Sequence, residues 1–362
     1  MKDLILFGDC RESLKTIATS DTKARMCVTS PPYYGLRDYG TATWIGGDPN
    51  CNHRRDTKVK PENCNTGHKN HDEMAGVGDA IYKTVCPKCG AIRQDSQIGL
   101  EQSPEEYVKE MVKVFSLVRD CLTDDGTLWL NIGDSYYNYR SDGNYPKQTV
   151  SKTRQDLPQS TPVRGNKLEG LKQKDLIGIP WMLAFALRAD GWYLRQDIIW
   201  HKPNPMPESV KDRCTKAHEY IFLLSKSKKY FYDNEAIKEP AKDWGTRNRT
   251  QGKYHNPGTG LQPHSGLTKS YERKNKRSVW SVTVKPYKGA HFATYPEELV
   301  EPCILAGSEK GDIILDPFMG SGTTAMVAKK NSRSYLGCEL RKEYASLQTA
   351  RISTIPNKLP LY

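Results

Sequence analysis

The sequence predicts an α/β fold built on a mostly parallel, doubly wound sheet, and three observations carry that prediction. Short apolar strands alternate with amphipathic helices along most of the chain. Near the C-terminal end, a helix, a strand, a glycine-rich loop, a second helix and a second strand follow in order. The stretches between these core-forming parts are polar and often basic, as insertions on a common core would be.

The elements can be justified in chain order. LILFGD (4–9) is an apolar strand ending in a turn, an amphipathic helix spans Arg11 to Ile17, and ARMCVTSPPY (24–33) begins as a second strand. Ser103 and Pro104 give a helix start signal, and Tyr107, Val108, Met111, Val112, Val114, Phe115 and Val118 recur at helical spacing over 104–122. The strand TLWLNIGD (127–134) follows, residues 175–202 repeat the helix-then-strand pattern, and 218–233 reads as a strand pair. At the end, YPEELVEPCILAG (295–307), GDIILDPFMGSGTTAMVAKKN (311–331) and SYLGCEL (334–340) form a mononucleotide-binding βαβ unit preceded by a helix.

Composition narrows the function classes. The 362 residues include 54 Lys and Arg against 42 Asp and Glu, a net charge of +12 that favours polyanionic partners, nucleic acid first. The longest apolar runs, such as 177–187, fall short of the ~20 residues that a membrane span needs, so no membrane partner is expected. MKDLILFGDC lacks the basic region, long apolar stretch and small-residue cleavage site of a secretory leader, which points to a cytoplasmic protein. In such a compartment ten cysteines read as thiols or metal ligands, not disulfides.

In ILDPFMGSGTT (314–324) a strand ends beside Asp316, and Gly320 and Gly322 allow the backbone to approach a ligand at the start of the next helix. The spacing lacks the three glycines of a dinucleotide site and the lysine of a P-loop, which argues against a nucleoside triphosphate. Two carboxylates, Asp316 and Glu339 at the end of the following strand, suit a ligand carrying an ammonium group and ribose hydroxyls.

TSPPY (29–33), DPFMGSGTT (316–324) and GCEL (337–340) together resemble the S-adenosylmethionine-dependent amino-methyltransferases of DNA, the N4-cytosine and N6-adenine family. The resemblance runs from FGDC near the N-terminus to about residue 345, and the catalytic motif precedes the cofactor loop, as in the permuted β group. It implies a Rossmann-like class I methyltransferase fold with circularly permuted motif order, S-adenosylmethionine as cofactor and double-stranded DNA as partner, with a cognate restriction endonuclease in a restriction-modification setting. The implied cofactor residues are Asp9, Thr294, Asp316, Phe318, Gly320, Ser321, Gly322, Thr323, Thr324 and Glu339; the implied catalytic residues are Ser30, Pro31, Pro32 and Tyr33. Asn131, Asp134 and Ser135 match the strand end beside the catalytic pocket, with Tyr136 and Tyr137 as wall residues.

The chemistry of these residue types fits that role. Methylating an exocyclic amine in a duplex requires the base to leave the stack. The amine lone pair is delocalised into the ring, and acceptors such as the Ser30 hydroxyl and the Pro31 carbonyl aim the nitrogen by taking its hydrogens. Successive prolines stiffen the backbone and donate no N–H, while Tyr33 offers a stacking face worth ~1–3 kcal/mol. In the family that the chain resembles, Ser-Pro-Pro-Tyr mostly marks cytosine N4 enzymes and Asp-Pro-Pro-Tyr adenine N6 enzymes, so the resemblance tilts the target toward cytosine N4, with adenine N6 as the alternative. The same fold acting on RNA, and a non-catalytic zinc-dependent DNA-binding protein, are the further readings.

Residues 41–98 form a polar insertion that separates 1–40 from 99–345, the two parts of the catalytic domain. It carries a Cys-x-x-Cys-Gly knuckle, Cys86 and Cys89, and an upstream Cys51/His53 pair, a Cys₃His set suited to one structural zinc. Cys64, His68 and His71 compete for the same role. The segments 138–174 and 241–277, with eight and nine Lys and Arg against three and two acids, are expected to contact phosphates and take part in target recognition, with Trp244, Tyr254 and Tyr271 as stacking candidates.

Overall fold

The computed structural model describes residues 1–35, 42–53, 82, 85–95, 97–137, 168, 170–241, 272–285 and 295–355. In chain order its strands are β1 Leu4–Phe7, β2 Ala24–Thr29, β3 Thr43–Ile45, β4 Ile92–Gln94, β5 Leu122–Ile132, β6 Tyr193–His201, β7 His218–Ser225, β8 Glu239–Pro240, β9 Arg273–Lys274, β10 Val279–Ser281, β11 Ile313–Asp316 and β12 Ser334–Glu339. The helices are α1 Cys10–Ala18, α2 Pro104–Cys121, α3 Ile179–Ala189, α4 Glu297–Gly307, α5 Thr323–Lys330 and α6 Ala345–Ser353.

Eight strands form one sheet in the order β1-β12-β11-β2-β5-β7-β6-β10. All neighbours are parallel except β7, which runs antiparallel to both β5 and β6. The C-terminal ends of β1, β2, β5, β6, β10, β11 and β12 therefore share one edge, together with the start of β7. In open α/β sheets that edge is where ligands bind.

Alternation along the strands sorts the core into two layers. Cys27, Leu128, Leu130, Leu315, Leu336 and Cys338 face the layer that holds Leu14 of α1, Phe115 of α2 and Leu183 of α3. Their neighbours Met26, Val28, Trp129, Ile314 and Tyr335 face Leu299 and Ile304 of α4, Val327 of α5 and Ile352 of α6. Covered on both faces, the sheet matches the expected doubly wound architecture. α2 begins as the sequence predicts, with Ser103 Oγ accepting from Glu106 N at 3.2 Å and Pro104 in the first turn.

The strand pair expected over 218–233 is a correction: only β7 forms. After Ser225 the backbone leaves the sheet, with Lys226 N bonding Gly126 O and Phe231 N bonding Asp125 O, each at 3.0 Å. The polar run 226–229 has no apolar alternation to bury, so it wraps over the start of β5 instead. No helix among the described residues is long and apolar enough to cross a membrane.

Candidate active site

At the end of β11, Asp316 is fully buried and its carboxylate is saturated by protein donors. Oδ1 accepts from Thr29 Oγ1 at 2.6 Å and Phe318 N at 3.0 Å; Oδ2 accepts from Thr324 Oγ1 at 2.5 Å and Tyr295 OH at 3.2 Å. Burial pushes its pKa up, against these hydrogen bonds that favour the anion. Asp316 thus ties β2, the glycine-rich loop, α5 and the segment before α4 to one point.

The loop turns on Gly322, whose φ of +83° lies in the left-handed region and which caps α5 without a side chain. Gly320 N donates to Glu339 Oε2 at 2.8 Å, and Arg341 N donates to Oε1 at 2.9 Å. Burial raises the Glu339 pKa to about 7 despite those two bonds. From the other side α6 holds the loop, with Gln348 Nε2 donating to Gly320 O at 2.7 Å and Arg351 Nη1 donating to the Ser321 and Thr323 hydroxyls at 2.8 and 2.9 Å. Asp9, at the end of β1, caps α1 through Arg11 N at 2.8 Å and pairs with the Arg11 guanidinium at 2.6 Å. Its burial alone would raise its pKa, but the Arg11 hydrogen bonds and charge win and lower it. Asp9, Asp316, Phe318, Gly320, Ser321, Gly322, Thr323, Thr324 and Glu339 therefore gather at one edge. Thr294 lies outside the described residues; its neighbour Tyr295 is the residue seen on Asp316.

Ser30 to Tyr33 leave the end of β2 on the same edge. Tyr107 OH donates to Pro32 O at 2.8 Å, so helix α2 pins the proline pair from below. Tyr33 OH donates to Glu219 Oε2 at 2.7 Å and lies 3.2 Å from Asn131 Oδ1 and 3.5 Å from Ser30 Oγ. Its pKa is driven well up, first by burial of the hydroxyl and then by the Glu219 charge. Asn131 Nδ2 donates to Tyr220 O at 3.1 Å and to Glu219 at 3.3 Å, and Lys202 Nζ is ion-paired with the other Glu219 oxygen. Gly133 is required by close approach, because a Cβ there would sit 2.7 Å from Tyr33 Cε2. A small recess lined by Thr29, Trp129, Asn131 and Tyr295 lies between the sheet and Leu299, Val300 and Cys303 of α4.

Comparison with known proteins accounts for this pairing of a glycine loop with a proline shelf. A family model described as DNA methylase, covering N6 and N4 enzymes, matches residues 24–350. The chain belongs to the S-adenosylmethionine-dependent DNA amino-methyltransferases. Over 345 residues the methyltransferase is 40% identical to Type II methyltransferase M.Cfr9I of Citrobacter freundii, covering 95% of this chain and 86% of that protein. It is also 40% identical over 353 residues to Type II methyltransferase M.SmaI of Serratia marcescens, covering 96% and 90%. In fold it is similar to the PvuII DNA methyltransferase (cytosine-N4-specific), with a TM-score of 0.53 and 15% identity over 99% of this chain and 88% of that one. A putative DNA modification methylase of Thermus thermophilus, complexed with S-adenosyl-L-methionine, gives a TM-score of 0.50 and 20% identity over 98% and 95%.

Beside the methyltransferase core, β3 and β4 pair antiparallel, and the segments next to them carry the expected metal set. One ligand atom from each of Cys51, His53, Cys86 and Cys89 lies within 4.8 Å of all the others. Tetrahedral zinc with Zn–S of about 2.3 Å and Zn–N of about 2.0 Å separates two sulfurs by ~3.8 Å and a sulfur from a nitrogen by ~3.5 Å. Cys51 Sγ and Cys86 Sγ are 3.8 Å apart, and Cys89 Sγ and His53 Nδ1 are 3.5 Å apart. His53 is held in the left-handed region (φ 49°) with its ring stacked 4.3 Å from Trp44, so its ring is oriented by packing. Cys64, His68 and His71 lie outside the described residues, as do Trp244, Tyr254 and Tyr271.

Several site residues were not found by sequence reasoning. Glu219 had one available signal, a charge at the head of the apolar run YIFLL, which calls for a partner. Tyr295 lies in the 291–307 stretch that carries Thr294 but was not itself singled out; Lys202, Gln348 and Arg351 had no signal, because none stands in a motif and each meets its partner only once the intervening strands and helices have folded. Asp134, expected at the strand end beside the catalytic pocket, lies two residues past the end of β5. Its Oδ1 accepts from Gly178 N at 3.0 Å and Ile179 N at 3.2 Å, capping the first turn of α3. Tyr137 is buried with its hydroxyl accepting from Leu168 N at 2.8 Å, while Tyr136 stacks under Arg213, 3.9 Å from its ring.

Proposed function

We propose that this methyltransferase modifies the N4 amine of cytosine in duplex DNA, as the modification partner of a Type II restriction endonuclease in the cytoplasm. The observation that carries the base assignment is Ser30 at the head of the proline shelf: family members with Ser-Pro-Pro-Tyr are mostly cytosine N4 enzymes and those with Asp-Pro-Pro-Tyr mostly adenine N6 enzymes, although both side chains accept the amine hydrogen. The name of the cytosine-N4-specific fold neighbour and the Type II names of the curated relatives support the same reading.

Bound S-adenosylmethionine supplies an electrophilic methyl group for direct in-line displacement, without a covalent enzyme intermediate. The residues fit that cofactor: Glu339 is a buried acceptor suited to ribose hydroxyls, the loop from Gly320 to Thr324 offers backbone approach, the buried Asp316 adds negative charge on the side of an ammonium group, and Asp9 falls where the family contacts the adenine ring. Phe318 and Thr294 complete the proposed cofactor set. Ser30 Oγ and the Pro31 carbonyl accept the amine hydrogens, Pro32 keeps the shelf rigid through Tyr107, and the Tyr33 ring, fixed through its hydroxyl, supports the extruded base. The nitrogen loses its proton to solvent as the new N–C bond forms.

The catalytic domain is read as 1–40 with 99–345. In the insertion 41–98, Cys51, His53, Cys86 and Cys89 hold one structural zinc, and four protein ligands leave no open position for catalysis. The basic segments 138–174 and 241–277 supply phosphate contacts and target recognition.

Incubation with labelled S-adenosylmethionine and duplex DNA, followed by nucleoside analysis, tests the reading. N4-methylcytosine is the expected product. N6-methyladenine would overturn the base assignment, and transfer to RNA alone would overturn the substrate.

A further inference from the structure

Between β6 and β7 the chain makes a long loop, 202–217, at the edge that carries Ser30 and Glu339. Its base is locked at several points. Lys202 N bonds Ala217 O at 2.8 Å, and the Lys202 ammonium is paired with Glu219, the same carboxylate that holds Tyr33. Asn204 exchanges two bonds of 2.9 Å with the Val284 backbone, Arg213 packs on Tyr136, and Lys216 Nζ donates to Asp134 O at 3.1 Å. From this fixed base Met206 projects with 86% of its surface exposed, the most exposed of the large hydrophobic side chains among the described residues. Pro205 and Pro207 flank it and restrict the backbone on both sides.

An apolar side chain standing in water above the anchored base of a loop contributes nothing to the core. The surrounding charges identify what it meets. Lys202, Lys211, Arg213 and Lys216 outnumber Glu208 and Asp212; Lys202 is paired with Glu219, Arg213 with Glu208 and Asp212 with Lys174 at 2.6 Å, so the positive excess lies on Lys211 and Lys216. The loop therefore presents net positive charge around an unpartnered thioether, which suits a polyanion with a stack of apolar faces inside it.

We propose that Met206 is a wedge that enters the base stack of duplex DNA next to the target and occupies space opened when that base is extruded. The inference rests on the base-extrusion reading above. Met206 acts through the DNA and not on the reacting atoms, so it is a positioning residue. Its thioether is flexible enough to fit an irregular gap, and the two prolines limit the entropy lost when it enters.

The test uses the full chain and a duplex that keeps the target cytosine paired with guanine and carries 2-aminopurine as the neighbouring base, where it reports unstacking. Wild-type protein is expected to raise its fluorescence as the target base leaves the stack. Met206→Ala should lower that rise and increase KM for DNA by about tenfold, the effect of losing one buried apolar side chain. Affinity for S-adenosylmethionine should stay unchanged, and Met206→Leu should retain most of the wild-type signal. When the target base is mismatched, extrusion is easier, so the deficit of the alanine variant should shrink toward wild type. A Met206→Ala protein that extrudes and methylates matched DNA like wild type would overturn the wedge while leaving extrusion intact. A wild-type protein that methylates without any fluorescence change would instead overturn the extrusion reading on which the wedge depends.

Discussion

Tyr33 and Glu219, 186 residues apart in sequence, share a hydrogen bond of 2.7 Å that joins the proline shelf to the head of β7. Glu219 is also paired with Lys202, the two side chains being 16% and 19% exposed. Tyr33→Phe keeps the stacking face and loses the anchor, so kcat should fall about tenfold, as for loss of one hydrogen bond to a charged group. Tyr33→Ala removes the face as well and should cost a further ~1–3 kcal/mol in kcat/KM for DNA. Isothermal titration with S-adenosylmethionine should find both variants unchanged in cofactor affinity.

Glu339 gives the site a pH dependence whose sign is fixed by its environment. Burial lifts its pKa from 4.5 to about 7, so below neutrality the carboxyl is largely protonated and poorer as an acceptor for ribose hydroxyls. Cofactor affinity should therefore tighten as pH rises, with Kd at pH 6 about tenfold weaker than at pH 8. Stability of the free protein moves the other way. The folded state holds this proton more tightly than the unfolded chain, so the Glu339 contribution is present below the ordinary value of 4.5 and is lost as pH rises to about 7. In Glu339→Gln, binding should be weaker and its pH profile flat across this range; a profile matching wild type would assign the titration to another group.

How much of this was legible in the sequence follows from how local each signal is. The glycine loop, the proline shelf and the Cys-x-x-Cys knuckle are each set by a few adjacent residues whose backbone demands are written in the residue types. Helix periodicity likewise placed Phe115 on an apolar face before any partner was known. The supports are non-local. Nothing in the spacing of Gln348 and Arg351 says that α6 folds back on Gly320, and the role of Asp134 as a cap depended on where α3 begins. The polar run after Ser225 misled for the opposite reason, since aromatic residues at 230–232 imitate a second strand without the alternation that would bury one.

Arg351 and Gln348 make α6 part of the cofactor site without either residue standing in a recognisable motif. Arg351→Ala removes the donors to the Ser321 and Thr323 hydroxyls and leaves the fold's two core layers intact. Kd for S-adenosylmethionine should rise on the order of tenfold, while kcat at saturating cofactor stays close to wild type. Equal losses in kcat and kcat/KM would place Arg351 in the chemical step instead of in loop support.

The Cys₃His cluster predicts a metal requirement separate from cofactor binding. Sulfur and nitrogen atoms already stand at the separations of a tetrahedral zinc site, and β3 and β4 are only three residues each, too short to hold together without further support. Metal analysis of purified protein should find about one zinc per chain, and Cys86→Ser combined with Cys89→Ser should lose it. Because a zinc held by four protein ligands would have no open coordination position, the double variant should bind S-adenosylmethionine normally and lose affinity for DNA. Chelation of wild-type protein should reproduce that split, and restored zinc should reverse it. If the metal-free protein bound DNA with unchanged affinity, the β3–β4 pair would be excluded from the DNA-binding surface; if the purified chain never carried zinc, the metal assignment would fall.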